Sequence, residues 1–561
     1  MIYRWFRYAQ FMVVLISASS LWARAQEEST SNRLTTEQLI DRLRSIKNPS
    51  AHYVLSDESH PNVKCGFGMQ AQVVNRWKEF SQVQRAELSG LMKSNIMQRD
   101  TIAGHFHIFY DTTGINEPAL LDNNNQRIQG TATAYIHSVA QIFNHVWDVE
   151  INQMGYSAPP FENGQSYYTV YVQDMQDYGV TNFDETTRIN SGQDPPRYQS
   201  SITIDNDFQE NQYYTHGANA LKVTAAHEFH HAIQIGSYGF WADDLFAHEL
   251  TSTWLEDVVY TDVNDYYQYL TDFFGDQQLA TGFWQGLSFN SNVFGGYERS
   301  IFAHYLAKIF GADIMKDIWT EMRTFPFLES TDAALVNRGS NLHSSFAKFT
   351  KWNYYTADRA DTVNFYTEGN HYPRFQPLQK IAFYNATSTI NGKVEPLSSS
   401  MYEYDLPKDT ITAVIANVDI GNAIKRNTTQ QQIEVTLNSG LQFKISVDTL
   451  SLWSPFLIQS STQTDVPRLQ LNAAPNPLRL AEAPWLKLSI NQDIAKTAEV
   501  FFFTSSFKLA YSGFLNVDNE DGFRAIVVPT SEIKSKLSSG IYFIIAKTAN
   551  SDYKWKVAVI R

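Results

Sequence analysis

Cysteine is almost absent from this sequence. The 561 residues contain one, Cys65, so no internal disulfide framework braces the chain. Positive charge is also in short supply. Lys and Arg number 44 against 58 Asp and Glu, a formal net charge of −14. That balance argues against nucleic acid as the partner and leaves no polybasic patch for a membrane surface. Beyond one short apolar stretch near the N-terminus, no other uninterrupted apolar run approaches the length of a membrane helix. Tandem repeats and long low-complexity tracts are missing too. What is present suits a folded protein: 43% hydrophobic and 14% aromatic residues, in a chain long enough for about three or four domains.

The N-terminal apolar stretch reads as a secretion signal. Arg4 and Arg7 form a basic opening, residues 11–22 are apolar, and Ala23-Arg24-Ala25 offers a small-residue cleavage site before Gln26. The apolar run is too short to span a bilayer comfortably. Residues 1–25 are therefore expected to be a signal peptide, leaving no transmembrane helix in the mature chain.

Residues 26–100 read as a helical leader and candidate propeptide. Thr35-Thr36-Glu37-Gln38 resembles a capping box, followed by Leu39, Ile40, Leu43 and Ile46 at helical spacing. From Gly104 the pattern changes. Strands are expected at 105–110, 167–172 and 200–205, and an amphipathic helix at 135–149. Further helices are expected at 298–310, 313–322 and 344–354. Strands followed by helices over 101–370 suggest an α+β domain. After about residue 370, short strand-like runs alternate with turn residues. They suggest a β-sandwich over 371–468, and Ala473-Ala474-Pro475-Asn476-Pro477 introduces a last β-rich unit over 469–561, expected to be a second β-sandwich.

The chemistry concentrates in Ala225-Ala226-His227-Glu228-Phe229-His230-His231-Ala232-Ile233, which contains His-Glu-x-x-His. On a helix His227 and His231 share one face, so both imidazoles can reach one metal ion. Glu228 is placed to take a proton from a water activated there. A zinc site of this kind needs a third protein ligand. The downstream segment 246–257 has helical character and carries Glu249, 18 positions after His231. The arrangement resembles that of the gluzincins, and the resemblance implies Glu249 as third ligand. No His-x-x-Gly-x-x-His continuation follows, which disfavours the metzincins. Glu256 is the alternative ligand, and Glu256 or Asp257 could instead support His227 from behind. Gluzincins of the thermolysin type often place an Asp four residues after the ligand Glu; Thr253 stands there in this chain. His230 and His248 read as helix-surface or supporting residues. Tyr297 and His304 are candidate oxyanion stabilisers. The strand at 200–205 could add an extended peptide by edge pairing. Acidic runs such as Asp205-Asn206-Asp207 could hold calcium, with solvated loop carboxylates the simpler reading.

Two wider resemblances follow. His105-Phe106-His107-Ile108-Phe109-Tyr110-Asp111-Thr112-Thr113-Gly114, Val146-Trp147-Asp148-Val149-Glu150, Met154-Gly155-Tyr156, the histidine helix, Thr253-Trp254-Leu255-Glu256-Asp257 and Lys351-Trp352-Asn353-Tyr354 resemble a family of secreted bacterial metallopeptidases, mostly uncharacterised. This implies a zincin-like peptidase domain over 101–370 with one catalytic Zn2+, acting on protein or peptide substrates. Pro475-Asn476-Pro477, Leu537-Ser538-Ser539-Gly540-Ile541-Tyr542-Phe543 and Lys556-Val557-Ala558-Val559-Ile560-Arg561 resemble the C-terminal sorting domain of type IX secretion. That implies passage through periplasm and outer membrane, and a product secreted or attached to the cell surface. Pro61-Asn62-Val63-Lys64-Cys65-Gly66 resembles the cysteine switch of matrix metalloproteinase propeptides, which implies Cys65 as a latency ligand.

The sequence thus supports a secreted zinc endopeptidase. A surface adhesin or glycan-binding protein on a degenerate peptidase scaffold is the competing expectation, and a hydrolase of non-peptide amides is a third. The intact Glu228 favours the enzymes.

Overall fold

A computed structural model describes residues 34–47, 64–92, 96–162, 164–274, 296–382, 387–406, 409–425, 431–438, 443–447, 453–459, 473, 475–490, 496–505, 508–520, 523–548 and 552–561. The expected signal peptide and Pro61 to Val63 of the cysteine motif lie outside these residues. The chain is multidomain and mixed α/β. Among the described residues no helix is long and apolar enough to cross a membrane. Two compact units emerge: Met1–Ala140 with Phe161–Arg188 and Tyr198–Leu221, and Gln141–Pro160 with Ile189–Arg197 and Lys222–Arg561.

The first unit opens with α1 (Thr36–Lys47), α2 (Phe67–Asn75) and α3 (Gln82–Met92). The capping box at α1 is reciprocal: Thr35 N–H donates to Gln38 Oε1 at 2.8 Å and Gln38 N–H to Thr35 Oγ1 at 3.2 Å. Leu39, Ile40 and Leu43 form its buried face. A five-stranded sheet follows, built from β1 (Arg99–Ala103), β2 (Phe106–Tyr110), β5 (Tyr168–Val172), β7 (Ser201–Ile204) and β6 (Gly179–Asn182), in that spatial order. The ribbon β3 (Leu120–Leu121) and β4 (Arg127–Ile128) and the helix α4 (Ala132–Trp147) lie between β2 and β5 in sequence. The pairs β2–β5 and β5–β7 are parallel; β1–β2 and β6–β7 are antiparallel. Every residue of β6 and β7 is buried, the mark of strands covered on both faces.

Two sequence expectations change here. The strand at 200–205 is β7, and its two sides are taken by β5 and β6, so its backbone has no open edge for a peptide. The open side of β6 meets the leader instead. Gly66 N–H donates to Gly179 O, and Tyr178 N–H to Lys64 O, both at 3.0 Å. The strand β1 was not anticipated; its Arg-Asp-Thr run carries no apolar alternation.

In the second unit, α5 (Gly217–Ile233, entering from the first unit) and α6 (Leu245–Val259) precede α7 (Tyr267–Phe274), α8 (Ser300–Phe310), α9 (Asp313–Glu321), α10 (Phe327–Asn337) and α11 (Leu342–Trp352). Then come two sheets. One has the order β14 (Trp453–Gln459), β11 (Asp409–Asn417), β10 (Ser398–Leu406) and β8 (Gln379–Ala382). The other has β13 (Phe443–Val447), β12 (Gln431–Asn438) and β9 (Thr387–Val394). Tyr402, Tyr404, Ile411, Ala413 and Ile415 from the first sheet share a core with Ile390, Val394 and Leu437 from the second. Alternate residues thus meet between two sheets, as a sandwich requires. Pro455 sits on the edge strand β14, which is paired on one side only, the kind of strand that tolerates proline.

The last β-rich part is one seven-stranded, barrel-like sheet instead of the expected two-sheet sandwich. Its order is β15 (Leu478–Arg479), β21 (Asp552–Ile560), β20 (Gly540–Lys547), β17 (Thr497–Thr504), β18 (Leu509–Glu520), β19 (Phe523–Pro529) and β16 (Trp485–Ile490). The reason is β18. It pairs with β17 through Asn516 and with β19 from Val517 onward, so one strand serves both halves. Asn476 of Pro-Asn-Pro ties to the terminal strand: its Nδ2 donates to Lys556 O at 3.0 Å and its Oδ1 accepts from Ala558 N–H at 2.9 Å.

Candidate metal centre

The histidine helix α5 is buried on all sides from Val223 to Ile233, and α6 from Phe246 to Glu256. Polar side chains on such helices need partners, because an unpaired buried polar group costs several kcal/mol. His227, His231 and Glu249 find one another. His227 Nε2 lies 3.0 Å from His231 Nε2. Glu249 Oε2 lies 3.1 Å from the first and 3.4 Å from the second. Ligands bound tetrahedrally at 2.0–2.1 Å from a small divalent ion are about 3.3 Å apart. The observed triangle has that size.

The far sides of the rings fix which atoms face the triangle. His227 Nδ1 donates to Glu256 Oε1 at 2.7 Å. His231 Nδ1 donates to Gln234 Oε1 at 2.9 Å, with Ser252 Oγ at 3.2 Å. The Gln234 amide is oriented by its Nε2, which donates to the carbonyl of His248 at 3.0 Å, a group that only accepts. Each Nδ1 therefore carries hydrogen, and each Nε2 can turn a lone pair inward. This is the arrangement that holds imidazole ligands in place. Two lone pairs and a carboxylate at such separations repel unless a cation lies among them.

The charge balance agrees. Burial alone would lower the His227 pKa, but Glu249 and Glu256 on its two nitrogens raise it to about 9. Burial alone would raise the Glu249 pKa, but His231 and His227 hold it down at about 2. Without metal, a proton shared with His227 offsets part of the two carboxylates' charge; a divalent ion would do so fully. His227, His231 and Glu249 thus make up a buried group whose ligand atoms all lie within 4.8 Å of one another, and this group could hold a metal ion.

The other predicted residues fall as follows. Glu228 is buried beside His227. Glu256, not Asp257, stands behind His227, so the carboxylate sought four residues after Glu249 is found seven after it. Asp257 lies 3.8 Å from His304 Nδ1; burial, then Glu368 and Glu256, push its pKa up to about 8. His304 stacks on Tyr266 with ring centroids 4.8 Å apart, and burial lowers its pKa to about 3. Tyr297 stacks on His227, centroids 5.8 Å apart and planes 30° from parallel. His230 and His248 are fully buried, which rules out the helix-surface reading. His230 Nδ1 pairs with Glu150 Oε2 at 2.9 Å and His248 Nδ1 with Gln234 Oε1 at 2.9 Å. Sequence reasoning missed Gln234, Ser252 and Glu150.

A second convergence lies in the first unit, where Asp174, Asp205 and Glu210 bring carboxylate oxygens within 4.8 Å of one another. Asp205 to Asp207 are buried, not solvated, because Asp205 caps its own loop. Its Oδ1 accepts from Met175 N–H at 2.9 Å and its Oδ2 from the Asp207 and Phe208 N–H groups. Arg127 pairs with Asp207. Asp174, Asp207, Glu210 and Arg127 line a cavity of about 400 Å³. Burial, with Asp207 adding to it, raises the Asp174 pKa and pushes Glu210 up to about 7.

Neither the protein-family models nor the curated proteins give a match to this chain.

Proposed function

We propose that this protein is a zinc-dependent endopeptidase with His227, His231 and Glu249 as metal ligands. The observation that carries the reading is the triangle of two imidazole nitrogens and one carboxylate oxygen, each ring held from behind by a hydrogen-bond acceptor. Two imidazole donors and one carboxylate are a three-ligand set that suits catalytic zinc. Bound there, zinc supplies Lewis acidity, activating a water and polarising a carbonyl. Glu228 takes the attacking water's proton and delivers it to the leaving amine nitrogen. Glu256 keeps the His227 ring in the tautomer that turns Nε2 inward. Tyr297, which stacks on a ligand, is the better placed of the two oxyanion candidates. Secretion through the periplasm and outer membrane, from the N-terminal signal and the C-terminal sorting motifs, belongs to the same reading.

The test is metal analysis together with cleavage of casein and a peptide library by parent and Glu228→Gln. The parent is expected to carry one zinc and to cleave. The variant should keep the metal and lose at least about a hundredfold in rate, the usual worth of a general base. Stoichiometric zinc without Glu228-dependent cleavage would overturn the enzyme reading in favour of a binding protein on a degenerate scaffold.

A further inference from the structure

We infer that the corner Gly296–Tyr297 is a positioning element that sets two of the three metal ligands at once, and that residue 296 must be glycine for this reason. The inference rests on the metal reading above. Gly296 has φ +132° and ψ −25°, a backbone region that L side chains rarely adopt. The space around it is more restrictive than its dihedrals. A Cβ at 296 would lie 2.7 Å from the carbonyl oxygen of Phe246, 2.9 Å from Phe246 Cα and 2.9 Å from Glu249 Cβ. Two of those atoms are backbone of α6 and the third is the root of the Glu249 side chain. None is the free end of a flexible chain, so relief requires α6 and the corner to move apart.

The corner is braced in this close approach. Gly296 N–H donates to Glu298 Oε2 at 2.9 Å, and Arg299 N–H to Gly296 O at 3.0 Å. Arg299 also pairs with Glu298. The next residue, Tyr297, is buried and lies between two rings. It stacks on His227 on one side and on Tyr269 of α7 on the other, where centroids are 4.8 Å apart and planes 24° from parallel. The corner therefore touches the backbone under Glu249 and the face of the His227 imidazole. Glu256 fixes the in-plane direction of that ring; Tyr297 limits its tilt.

Magnitudes decide why this matters for metal and not only for packing. Bringing a 2.9 Å carbon–carbon contact out to ordinary van der Waals distance requires a displacement on the order of 0.5–1 Å. Metal–ligand distances tolerate about 0.2 Å. A methyl group at 296 thus forces the corner and α6 apart by several times what the metal site accepts, while the fold can absorb the same shift elsewhere.

The test uses the full chain. Zinc affinity is measured by competition with a chromophoric chelator, and ligand geometry by the visible absorption of the Co2+-substituted protein. Gly296→Ala is expected to weaken zinc at least tenfold and to alter the cobalt bands. Gly339→Ala serves as control: it too has positive φ, +76°, but nothing lies within 4 Å of its added Cβ. It should keep the parent's affinity and spectrum even where backbone strain lowers its melting temperature. Should Gly296→Ala not fold, Tyr297→Leu removes the ring from His227 without crowding α6, and should shift the cobalt bands. A folded Gly296→Ala, or Tyr297→Leu in its place, with parental zinc affinity and parental cobalt spectrum overturns the inference and leaves the metal reading intact. A parent that takes up no zinc overturns the metal reading, and this inference with it.

Discussion

Among the described residues two clusters of potential metal-ligating groups stand out, one in each unit, and they spend their hydrogen bonds in opposite directions. His227, His231 and Glu249 are held from behind. The bonds to Glu256, Gln234 and Ser252 use the far ring nitrogens and leave the near ones facing a common point. Asp174, Asp205 and Glu210 also converge. Asp205, however, uses both oxygens on backbone N–H groups of its own loop and of Met175. Arg127 adds positive charge beside it through Asp207. The first cluster is pre-organised to receive a cation. The second is pre-organised to hold a loop, and the raised pKa values of Asp174 and Glu210 record carboxylates that would sooner take a proton. Proximity of ligand-type atoms is common to both. The direction of the supporting bonds separates them.

The largest effect expected from breaking this comparison is at the residues proposed as ligands. His231→Ala should abolish stoichiometric zinc, whereas Asp205→Asn should leave zinc content unchanged; metal analysis of the two purified variants decides. A smaller effect belongs to the bond behind His227. Glu256→Gln should weaken zinc by about 10–100-fold, the usual worth of an outer carboxylate. Asp257→Asn, one residue on, should not, because Asp257 faces His304. Equal losses in the two variants, read by chelator competition, would remove the distinction drawn between neighbouring acids on α6.

Much of the site was legible because it is local. His227 and His231 are one helical turn apart, so spacing put both in reach of one point; the resemblance to gluzincins pointed to Glu249, and Glu256 lies two turns further along the same face of that helix. What stayed hidden depends on pairs distant in sequence. Glu150 meets His230 across 80 positions, and no periodicity announces it. Gln234 lies three residues after His231, yet an amide there gives no signal until α6 arrives to orient it. Gly296 is an unremarked glycine until its missing Cβ is set against Phe246. The same holds for the fold. Strands with alternating apolar residues, such as β2 and β5, were readable. The exposed β1 was not, and neither was the change of partner along β18 that joins two halves of one sheet.

The smallest expected effect concerns stability, and it bears on the acidic cluster. Burial, reinforced by Asp207 and Asp174, holds the Glu210 pKa at about 7, against 4.5 for a solvated glutamate. The fold thus favours the protonated form. Its contribution is fully present below about pH 4.5, where folded and unfolded chains are both protonated. It is lost as pH rises through about 7, because the unfolded chain has already released this proton and the folded one must bury the charge. Glu210→Gln keeps the shape and removes the charge. Thermal melting of the metal-free protein between about pH 5 and pH 8 should show parent and variant converging at the acid end. The variant should gain steadily as pH rises. Addition of Ca2+ at pH 8 gives the sharper reading. If calcium stabilised the parent and not Glu210→Gln, the second cluster would be a cation site too, built of hard oxygen donors, and the contrast between the two would fail. If calcium left both melts unchanged while the pH-dependent gap remained, the cluster holds protons and a loop, and the contrast with the histidine site stands.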